Sequence, residues 1–540
     1  MKYRFLFTLL LVAMSQVGVA EPGEAPGRSA IALGAAGNAV YEVYPTGIYP
    51  TDRINVQWAL DNVDSPGTVI MKSTDVSGNP LAFNFGGTTT GTGGVIKLLR
   101  PDITLTGDGW DAILDEPKTK IVGGGGPFIF SPTLSGNAMV FAVNAPGVTV
   151  RELKLTSTAA ATGMFISSAN RQASDHPVVV ERNHISVVSY PVLAYNSAGF
   201  PVRIDNNVLR GVYPACGRWI GFTLQPISTF PYDVPVVPTD SLGNSVRYPF
   251  EITNNLMITT PGVFTQAILI YGWSNLNSPD PDPEKGFRRY RQTSSSPWVN
   301  QFVQGDNGPV LISGNDIQMD SPPDTGAEAM CLGGTSTGLS HSVVRDNTMS
   351  GTCGLTIAVA FYGHDNIIVD NDLSEMQAYN HALISTADTT FSNNVLGRLI
   401  PDGSELQPVI WLESIHGYPT TTPLPNPVEN CVIMHNDYRL TERESGVIVL
   451  VSNKEFGGAG TEVKNNLVFE SGRFPVGTGG ALNQILVIAD MINPDTGLPY
   501  VHDNRIVGHP AQFIQKPGIG QTVQQIMRFL RMMDEESVDK

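Results

Sequence analysis

Cysteine is scarce in this chain of 540 residues, which contains four. That number is too small to define a disulfide scaffold, and the absence of any C-x-x-C pair disfavours a zinc site. Cys331 and Cys353 are 22 residues apart in the sequence. We expect either a disulfide between adjacent structural repeats or two buried thiols at these positions.

Charged residues are scarce as well, at 15% of the chain, and the basic ones are fewer: 33 Lys and Arg against 50 Asp and Glu. The formal net charge of −17 disfavours nucleic acid and anionic membranes as partners. The same acidity would keep an exported protein soluble, so it does not by itself indicate an acidic or basic ligand.

The sequence has no apolar run long enough to span a bilayer. The first 20 residues instead have the pattern of a secretory signal peptide: basic Lys2 and Arg4, an apolar run over Phe5–Met14, and small residues before a cleavage site at Ala20. A retained N-terminal anchor is the alternative. We therefore expect a secreted or periplasmic protein with no membrane span.

One short phrase recurs ten times: a β-branched or aromatic residue, two residues, Asn, one residue, and usually an aliphatic residue. Examples are VERNHI from Val180, ITNNLM from Ile252 and VRDNTM from Val344. Its Asn residues are Asn183, Asn207, Asn255, Asn315, Asn347, Asn371, Asn394, Asn436, Asn466 and Asn504. A recurring supersecondary unit must stack to bury its apolar face, so the phrase predicts a solenoid.

The spacing of these Asn residues defines the unit. Intervals of 24, 24 and 23 residues give the bare coil, which is too short for a pair of helices and is rich in strand-forming residues. We expect about three short strands per coil, each pairing in parallel with the next coil at roughly 4.8 Å. Intervals of 48 and 60 residues indicate either two coils or one coil with a long insertion.

The repeated Asn has a structural interpretation. We expect it at a bend between two strands, where it tolerates left-handed backbone geometry and hydrogen-bonds to the main chain. Stacked from coil to coil, such residues can form an amide ladder. The flanking aliphatic residues point inward, and no catalytic role is assigned to the Asn.

The ends of the chain differ from the repeats. After a loose segment over 21–50, TDRINVQWALDNV predicts a helix over 52–63. The stretch Gln521–Glu536 has a helical pattern, with a frayed tail as the alternative. The predicted organisation is a signal peptide at 1–20, coils over 51–515 with insertions near 210–250 and 272–308, and a helical cap over 516–540.

The N-terminal helix, the strand PGTVI, the turn ITLTGDG and the Asn-Asn coils together resemble the pectin-lyase-like superfamily over residues 40–515. The resemblance implies an all-β fold: a single-stranded right-handed parallel β-helix (a solenoid) with N- and C-terminal capping helices. It also implies a monomer whose partner is a polysaccharide or other glycan. Superfamily members include polysaccharide lyases, glycoside hydrolases, epimerases and esterases, so fold does not fix activity.

No motif of a well-known enzyme family in that superfamily is complete here. The polygalacturonase motifs N-T-D, D-D, G-H-G and R-I-K are absent, as are W-x-D-H and R-x-P-x-x-R of pectate lyases and D-P-H-D of alginate epimerases. The leading interpretation is a lyase or hydrolase acting on a polysaccharide, with uronate-containing glycans as candidates. The alternatives are a non-catalytic glycan-binding protein and a structural cell-surface protein.

The predicted insertion over 272–308 has the most unusual composition. Asp280, Asp282 and Glu284 alternate with prolines and could hold a hard cation such as Ca²⁺, the one cofactor the sequence suggests. The basic residues that follow could neutralise a uronate and move its proton. We name Arg288, Arg289 and Tyr290 as catalytic candidates and Arg291 as substrate-binding. A solvated loop of mutually paired charges is the alternative.

Further candidates come from aromatic and acid–base residues. Trp219, Trp273 and Trp298 could line a sugar-binding groove or fold the insertions onto the coils. His364 and Asp365 could form a general acid–base set with Asp320 or Glu328, or simply cap a turn. Glu413 and His416 are a weaker candidate pair.

Overall fold

The structure is a computed structural model that describes the chain from residue 30 to residue 515 with gaps. The described residues are 30–33, 40–86, 95–127, 138–160, 162–167, 176–195, 201–220, 250–262, 264–272, 287–291, 298–302, 310–333, 339, 341–359, 365–384, 386, 388–400, 409–413, 431–434, 436–440, 448–451, 462–464, 467–470, 486–487, 501–502, 505–507 and 514–515. Two compact units are distinguished: unit 1 comprises Met1–Phe165 and Asn183–Ser189, and unit 2 comprises Ile166–Arg182 and Tyr190–Lys540.

In unit 2 the chain adds one strand to each of three parallel sheets in turn. We call these the first, second and third sheets, in the order in which each coil contributes to them. The first sheet contains Val178–Glu181, Val202–Asp205, Phe250–Thr253, Val310–Ser313, Val343–Arg345, Ile367–Val369, Thr390–Ser392, Val432–Met434, Glu462–Lys464 and Val501–His502. The second sheet contains Val208–Gly211, Leu256–Thr259, Asp316–Asp320, Thr348–Thr352, Asp372–Ala378, Val395–Leu399, Asp437–Leu440, Leu467–Glu470 and Arg505–Val507. The third sheet contains Tyr190–Tyr195, Ala215–Ile220, Gln266–Gly272, Glu328–Leu332, Leu355–Val359, Asn380–Ile384, Ile410–Glu413, Ile448–Val451, Leu486–Val487 and Ile514–Gln515.

Successive strands of each sheet come from successive turns of the chain and pair in parallel, which defines a parallel β-helix. The predicted coil of three short strands is therefore confirmed. A two-stranded antiparallel hairpin, Phe287–Arg291 with Trp298–Phe302, lies in the connection between the third-sheet strand Gln266–Gly272 and the next first-sheet strand. A short 3₁₀ helix spans Pro323–Thr325.

Unit 1 follows the same plan. Its first sheet contains Ala30–Leu33, Val40–Val43, Gly67–Met71, Ile103–Gly107 and Thr149–Arg151. Its second sheet contains Phe83–Asn84, Thr119–Val122, Leu153–Thr156 and His184–Ser186, and its third-sheet strands are Ile96–Leu98, Gly126–Pro127 and Ala138–Val143. The strand Thr162–Ser167 includes residues of both units, and Trp110–Asp111 pairs with Glu116–Pro117 as a hairpin.

Two expectations for the N-terminal region have different outcomes. The predicted helix is present over Thr51–Asn62, with Val56, Ala59 and Leu60 buried, and it packs against neighbouring strands of unit 1. The sequence predicts a loose segment over 21–50, whereas its described part includes the antiparallel strands Ala30–Leu33 and Val40–Val43. The predicted second helix over 521–536 lies outside the described residues, as does the predicted signal peptide.

The recurring phrase builds the core of unit 2. Its first residue points inward from the first sheet and stacks on its counterpart in the next coil, as Ile204, Ile252 and Ile312 do in direct register. Its last residue does the same in the second sheet, as Leu209 and Met257 show. β-branched and aliphatic side chains suit this packing of like on like, which explains why the phrase tolerates little else at these two positions.

The Asn residues of the phrase form the predicted amide ladder. From Asn255 to Asn436, each ladder Asn side-chain oxygen accepts two hydrogen bonds, at 2.9–3.2 Å, from the main-chain N–H and the Nδ2 of the Asn one coil earlier. Each Nδ2 also donates to a main-chain carbonyl of the preceding coil, as Asn347 does to Ile312 at 3.1 Å. The buried amides are thus fully satisfied.

One part of the Asn interpretation is wrong. Where the structure describes the residue just before a ladder Asn, that residue holds the left-handed backbone position, with φ of 54° at Asn206, 67° at Gly314 and 55° at Asp346. The ladder Asn itself is not in that region. Asn, Asp and Gly tolerate the left-handed conformation better than other residues, which accounts for their frequency before the ladder position.

The ladder also decides between the alternatives for the long intervals. Asn207 contacts Asn255 directly, and Asn255 contacts Asn315, so each of these intervals is one coil with an insertion. Both insertions leave the third sheet and return to the first.

The proposed disulfide between Cys331 and Cys353 is not formed, and both residues are thiols. The reason is register: Cys331 pairs across the third sheet with Ala358, so Cys353 is not its neighbour in the next coil. Cys353 lies buried beside Thr356, and burial raises the pKa of its thiol to about 12.

Replacing one ladder residue tests the amide network. We expect Asn347→Ala to lower the free energy of unfolding by about 2 kcal/mol or more, because it removes the acceptor of Asn315 and leaves buried donors unpaired. Urea unfolding measures the change. Thr348→Ala alters the neighbouring exposed side chain and is expected to change stability by less than about 0.5 kcal/mol. Equal effects of the two substitutions would contradict the ladder's role.

A buried histidine in the third sheet predicts acid lability. The Nδ1 atom of His381 lies 3.1 Å from the Thr356 hydroxyl, its Nε2 has no hydrogen-bond partner among the described residues, and burial lowers its pKa to about 4. The carbonyls of Gly397 and Arg398 oppose this shift only partly. An unfolded chain protonates this histidine near pH 6.5, whereas the folded protein does not.

Stability should therefore be unaffected by His381 above about pH 6.5 and should fall as the pH drops toward 4, by about 3 kcal/mol in total. We plot the unfolding free energies of the native protein and of His381→Leu against pH. Across that range the two slopes should differ by the amount that corresponds to the uptake of close to one proton on unfolding. His176→Gln, at an exposed site, is the matched control. Parallel curves for His381→Leu and the native protein would refute the assignment.

Candidate functional site

The second sheet of unit 1 carries a row of basic side chains on its outer face. Along each strand apolar residues point inward, so Ile121, Leu155 and Ile185 are buried. Lys154 pairs in register with Lys120 on one side and with His184 on the other. We call Lys120, Lys154 and His184 the basic row.

A short hairpin stands beside this row. Trp110–Asp111 pairs antiparallel with Glu116–Pro117, and we call residues 110–117 the tryptophan hairpin. Its turn is fixed because the Asp111 carboxylate accepts hydrogen bonds from the main-chain N–H groups of Ile113, at 2.9 Å, and Leu114, at 3.2 Å. These hydrogen bonds lower the pKa of Asp111.

The hairpin touches the basic row through an aromatic contact and a carboxylate. The Trp110 and His184 rings meet edge to face, with centroids 5.4 Å apart and planes at 85°. The indole N–H of Trp110 donates to Asp115 at 3.1 Å, which holds the ring in place. Glu116 bridges two lysines: its Oε1 lies 3.4 Å from Lys120 Nζ and its Oε2 accepts a hydrogen bond from Lys154 Nζ.

These contacts set the protonation states. The hydrogen bond from Lys154 holds the pKa of Glu116 below its usual range. Partial burial, reinforced by the positive charge of Lys154, lowers the pKa of His184. At neutral pH the site therefore holds an ionised carboxylate, two ammonium groups and a neutral imidazole that can accept a proton.

Sequence reasoning missed this site, although a signal was present. VRELKL from Val150 matches the recurring phrase with Leu153 in place of Asn, and it aligns Lys154 with His184, the residue directly after Asn183. The structure shows the link, since Asn183 accepts a hydrogen bond from the Leu153 N–H at 3.1 Å. Extending the phrase to coils without Asn would have brought the two residues together.

A second polar cluster lies on the first sheet of unit 1. Lys72 Nζ is 2.8 Å from Asp108 and 3.5 Å from Glu42, and the Tyr44 hydroxyl donates to Glu42 at 2.8 Å. The hydrogen bond to Asp108 raises the pKa of Lys72, and the one to Glu42 raises that of Tyr44. Because its charges are paired with one another across three strands, this cluster is best understood as a structural clamp.

The structure describes the sequence-predicted insertion residues only by their backbone. Arg288, Arg289, Tyr290 and Arg291 lie on the hairpin strand Phe287–Arg291, and Arg291 is paired in register with Trp298. Trp219 lies in the third-sheet strand Ala215–Ile220. The remaining insertion candidates, Trp273, Asp280, Asp282 and Glu284, lie outside the described residues.

The predicted acid–base residues occupy separate positions. Asp365 lies at the bend that leads into the first sheet, where its Oδ2 is 3.5 Å from Nδ1 of His341; His364 is outside the described residues. Glu328 starts a third-sheet strand and accepts a hydrogen bond from Gln266 at 2.6 Å, and burial raises its pKa.

The last two candidates lie at strand ends. Asp320 is exposed at the end of a second-sheet strand, and Glu413 ends a third-sheet strand, with His416 outside the described residues. Within the described ranges, no group of three or more His, Cys, Asp or Glu side chains could hold a metal ion. No helix in this part of the chain is long and apolar enough to cross a membrane.

Comparison with solved structures finds several that are similar to this chain over most of its length. It is similar to the A-module of the mannuronan C-5 epimerase AlgE4 of Azotobacter vinelandii, at 11% identity and a TM-score of 0.40, with 87% of this chain and 94% of that chain covered. It is similar to an alginate lyase of polysaccharide lyase family 6, solved with a trisaccharide, at 12% identity and a TM-score of 0.45, with 86% and 84% covered.

A third similar structure is a mannuronic-acid-specific family 6 lyase from the human gut microbiota, at 10% identity and a TM-score of 0.41, with 92% and 94% covered. No family model and no curated protein sequence matches the chain. With identities this low, the function has to be argued from the residues of this chain.

The electrostatics of the basic row predict a measurable shift. Lys154→Gln should raise the pKa of His184, because it removes a nearby positive charge, yet leave it below the usual histidine value, because burial persists. Titration of ¹³C-labelled histidine rings by NMR, with the resonance assigned from His184→Gln, reports the change. An unchanged or lowered pKa would show that Lys154 does not act on His184.

Proposed function

We propose that the protein is an exported polysaccharide lyase of the pectin-lyase-like superfamily, and that the basic row with the tryptophan hairpin binds a uronate-containing glycan. The observation that carries the proposal is a neutral, half-buried imidazole in register with Lys154, whose ammonium group shares the Glu116 carboxylate with Lys120 on the next strand. The fold alone does not select a reaction, whereas these side chains are suited to one.

The chemistry of a uronate lyase matches the three groups. Lys120 and Lys154 would neutralise the uronate carboxylate, which makes the proton on the adjacent C5 easier to remove. His184, whose pKa is lowered by partial burial and by the charge of Lys154, is unprotonated at neutral pH and would accept that proton. The electrons of the C5–H bond then form the C4=C5 double bond as the C4–O bond breaks, and the leaving oxygen takes a proton from water.

The tryptophan hairpin supplies the remaining feature of a sugar site. Sugar rings pack their apolar face on aromatic side chains and direct their hydroxyls to polar neighbours. Trp110 is partly exposed and held by two contacts, to Asp115 and to His184, so little conformational freedom would be lost on binding.

The insertion residues stay within the proposal in a supporting role. In unit 2, the hairpin that carries Arg288, Arg289, Tyr290 and Arg291 lies in the connection from the third sheet to the first, and its charges would bind uronate units independently of the basic row. A Ca²⁺ ion held by Asp280, Asp282 and Glu284 would serve the same purpose. Binding titrations of the metal, monitored by calorimetry, test that part separately.

The activity test uses the mature protein and a panel of polysaccharides: alginate, polygalacturonate and a neutral glucan. Lyase action on a uronate polymer appears as ultraviolet absorbance of the unsaturated product. His184→Gln should lower kcat by roughly 100-fold or more, and Lys154→Gln should raise KM by roughly 10- to 100-fold. Lys97→Gln removes the same charge from an exposed strand position elsewhere in unit 1 and should change neither.

Other outcomes distinguish the competing functions. New reducing ends without absorbance would identify a hydrolase. Uronate binding that Lys154→Gln weakens, without either product, would identify a non-catalytic glycan-binding protein. That second candidate is favoured by the pairing of both lysines with Glu116, because one carboxylate shared by two ammonium groups lowers the positive charge available to act on a substrate. Absence of both binding and product would leave a structural role.

A further inference from the structure

Glu116 holds the position that a ligand carboxylate would need. Its two oxygens are divided between two lysines on adjacent strands, Oε1 to Lys120 and Oε2 to Lys154. A planar carboxylate shared between two ammonium groups is the arrangement expected for a bound uronate. The subsite is therefore filled, in the structure, by a residue of the protein itself.

We propose that Glu116 is an internal stand-in for the substrate carboxylate and that a uronate displaces it on binding. This inference rests on the proposed function and deepens it: the subsite binds one carboxylate, with one of its oxygens on each lysine. Without a ligand, the tryptophan hairpin holds Glu116 on the two lysines and so blocks the subsite.

The exposure of the three side chains makes displacement feasible. The Lys120 side chain is 52% exposed and that of Lys154 33% exposed, whereas that of Glu116 is 14% exposed. Ion pairs in contact with solvent are weak, because water screens the charges. A ligand carboxylate would restore the same two contacts, so neither lysine would be left without a partner while Glu116 turns toward solvent.

The location of Glu116 in the hairpin supports the same conclusion. The two strands of the hairpin are two residues each, and its turn is held by Asp111 independently of Glu116. The Trp110 contacts to Asp115 and His184 likewise do not involve the Glu116 carboxylate. Glu116 can therefore leave the lysines while the hairpin keeps its turn and its aromatic contact.

Substitution of Glu116 by its uncharged isostere tests the proposal. Glu116→Gln should increase the affinity for a uronate hexasaccharide by about two- to five-fold, the range expected when a weak internal competitor is removed. Isothermal titration calorimetry on the full chain measures the affinity. Binding of a neutral glucose hexasaccharide should not change.

Asp64→Asn is the matched control, since it makes the same charge change at an exposed position of unit 1. It should leave uronate affinity unchanged, which separates loss of the Glu116 contact from loss of net negative charge. Equal gains in the two variants would overturn the proposal, as would unchanged or weaker uronate binding by Glu116→Gln. Circular dichroism and thermal unfolding establish that each variant is folded.

The two levels of inference fail in different ways. If the native protein binds uronate and Lys154→Gln weakens that binding, the proposed site stands, and an absent gain in Glu116→Gln rejects only the stand-in role. If neither the native protein nor Glu116→Gln binds uronate, both are rejected. Binding by Glu116→Gln alone would support strong self-inhibition.

Discussion

A fully satisfied amide inside the coil is the constraint on which the described structure of unit 2 depends. A buried Asn without partners would be costly, whereas here its oxygen accepts two hydrogen bonds and its Nδ2 donates to the next Asn and to a carbonyl of the preceding coil. That pattern exists only if adjacent coils are in one register. A slip by one residue would break the amide pairs and turn the apolar side chains outward.

The same register places the candidate site. The basic row occupies the position directly after the ladder position in three coils of unit 1, after Thr119, Leu153 and Asn183. Thr119 substitutes for Asn by bonding through its hydroxyl to Met71 and Asp108. In unit 2 most corresponding positions hold uncharged or acidic residues, namely Val208, Leu256, Asp316, Thr348, Asp372, Val395, Asp437 and Leu467, and the last described coil holds Arg505. Within the described coils, a run of three successive basic residues at this position occurs in unit 1 alone.

The sequence predicts some parts of this structure and not others, and individual residues show why. The Asn phrase is strong enough to predict coils, ladder and inward-facing residues, because each position has one physical task. It could not decide between two coils and one coil with an insertion, since that requires knowing which Asn contacts which. The separation of 22 residues between Cys331 and Cys353 suggested a disulfide, whereas the register of the third sheet pairs Cys331 with Ala358. The site was missed because charge-rich insertions attract attention, while Lys120, Lys154 and His184 are single residues in separate strands.

The charge of the whole chain gives the self-paired site a physical rationale. With a net charge of −17 the protein repels polyanions. At physiological salt, dissolved ions screen this repulsion over a distance of about 8 Å. Recognition of a uronate must then rely on contacts at short range, where two lysines act on one carboxylate. On such an acidic surface, two unpaired ammonium groups would form ion pairs with acidic side chains of the protein in no fixed geometry. A carboxylate fixed in the adjacent hairpin fills that role in a defined geometry, and it keeps the lysines in the positions that a ligand requires.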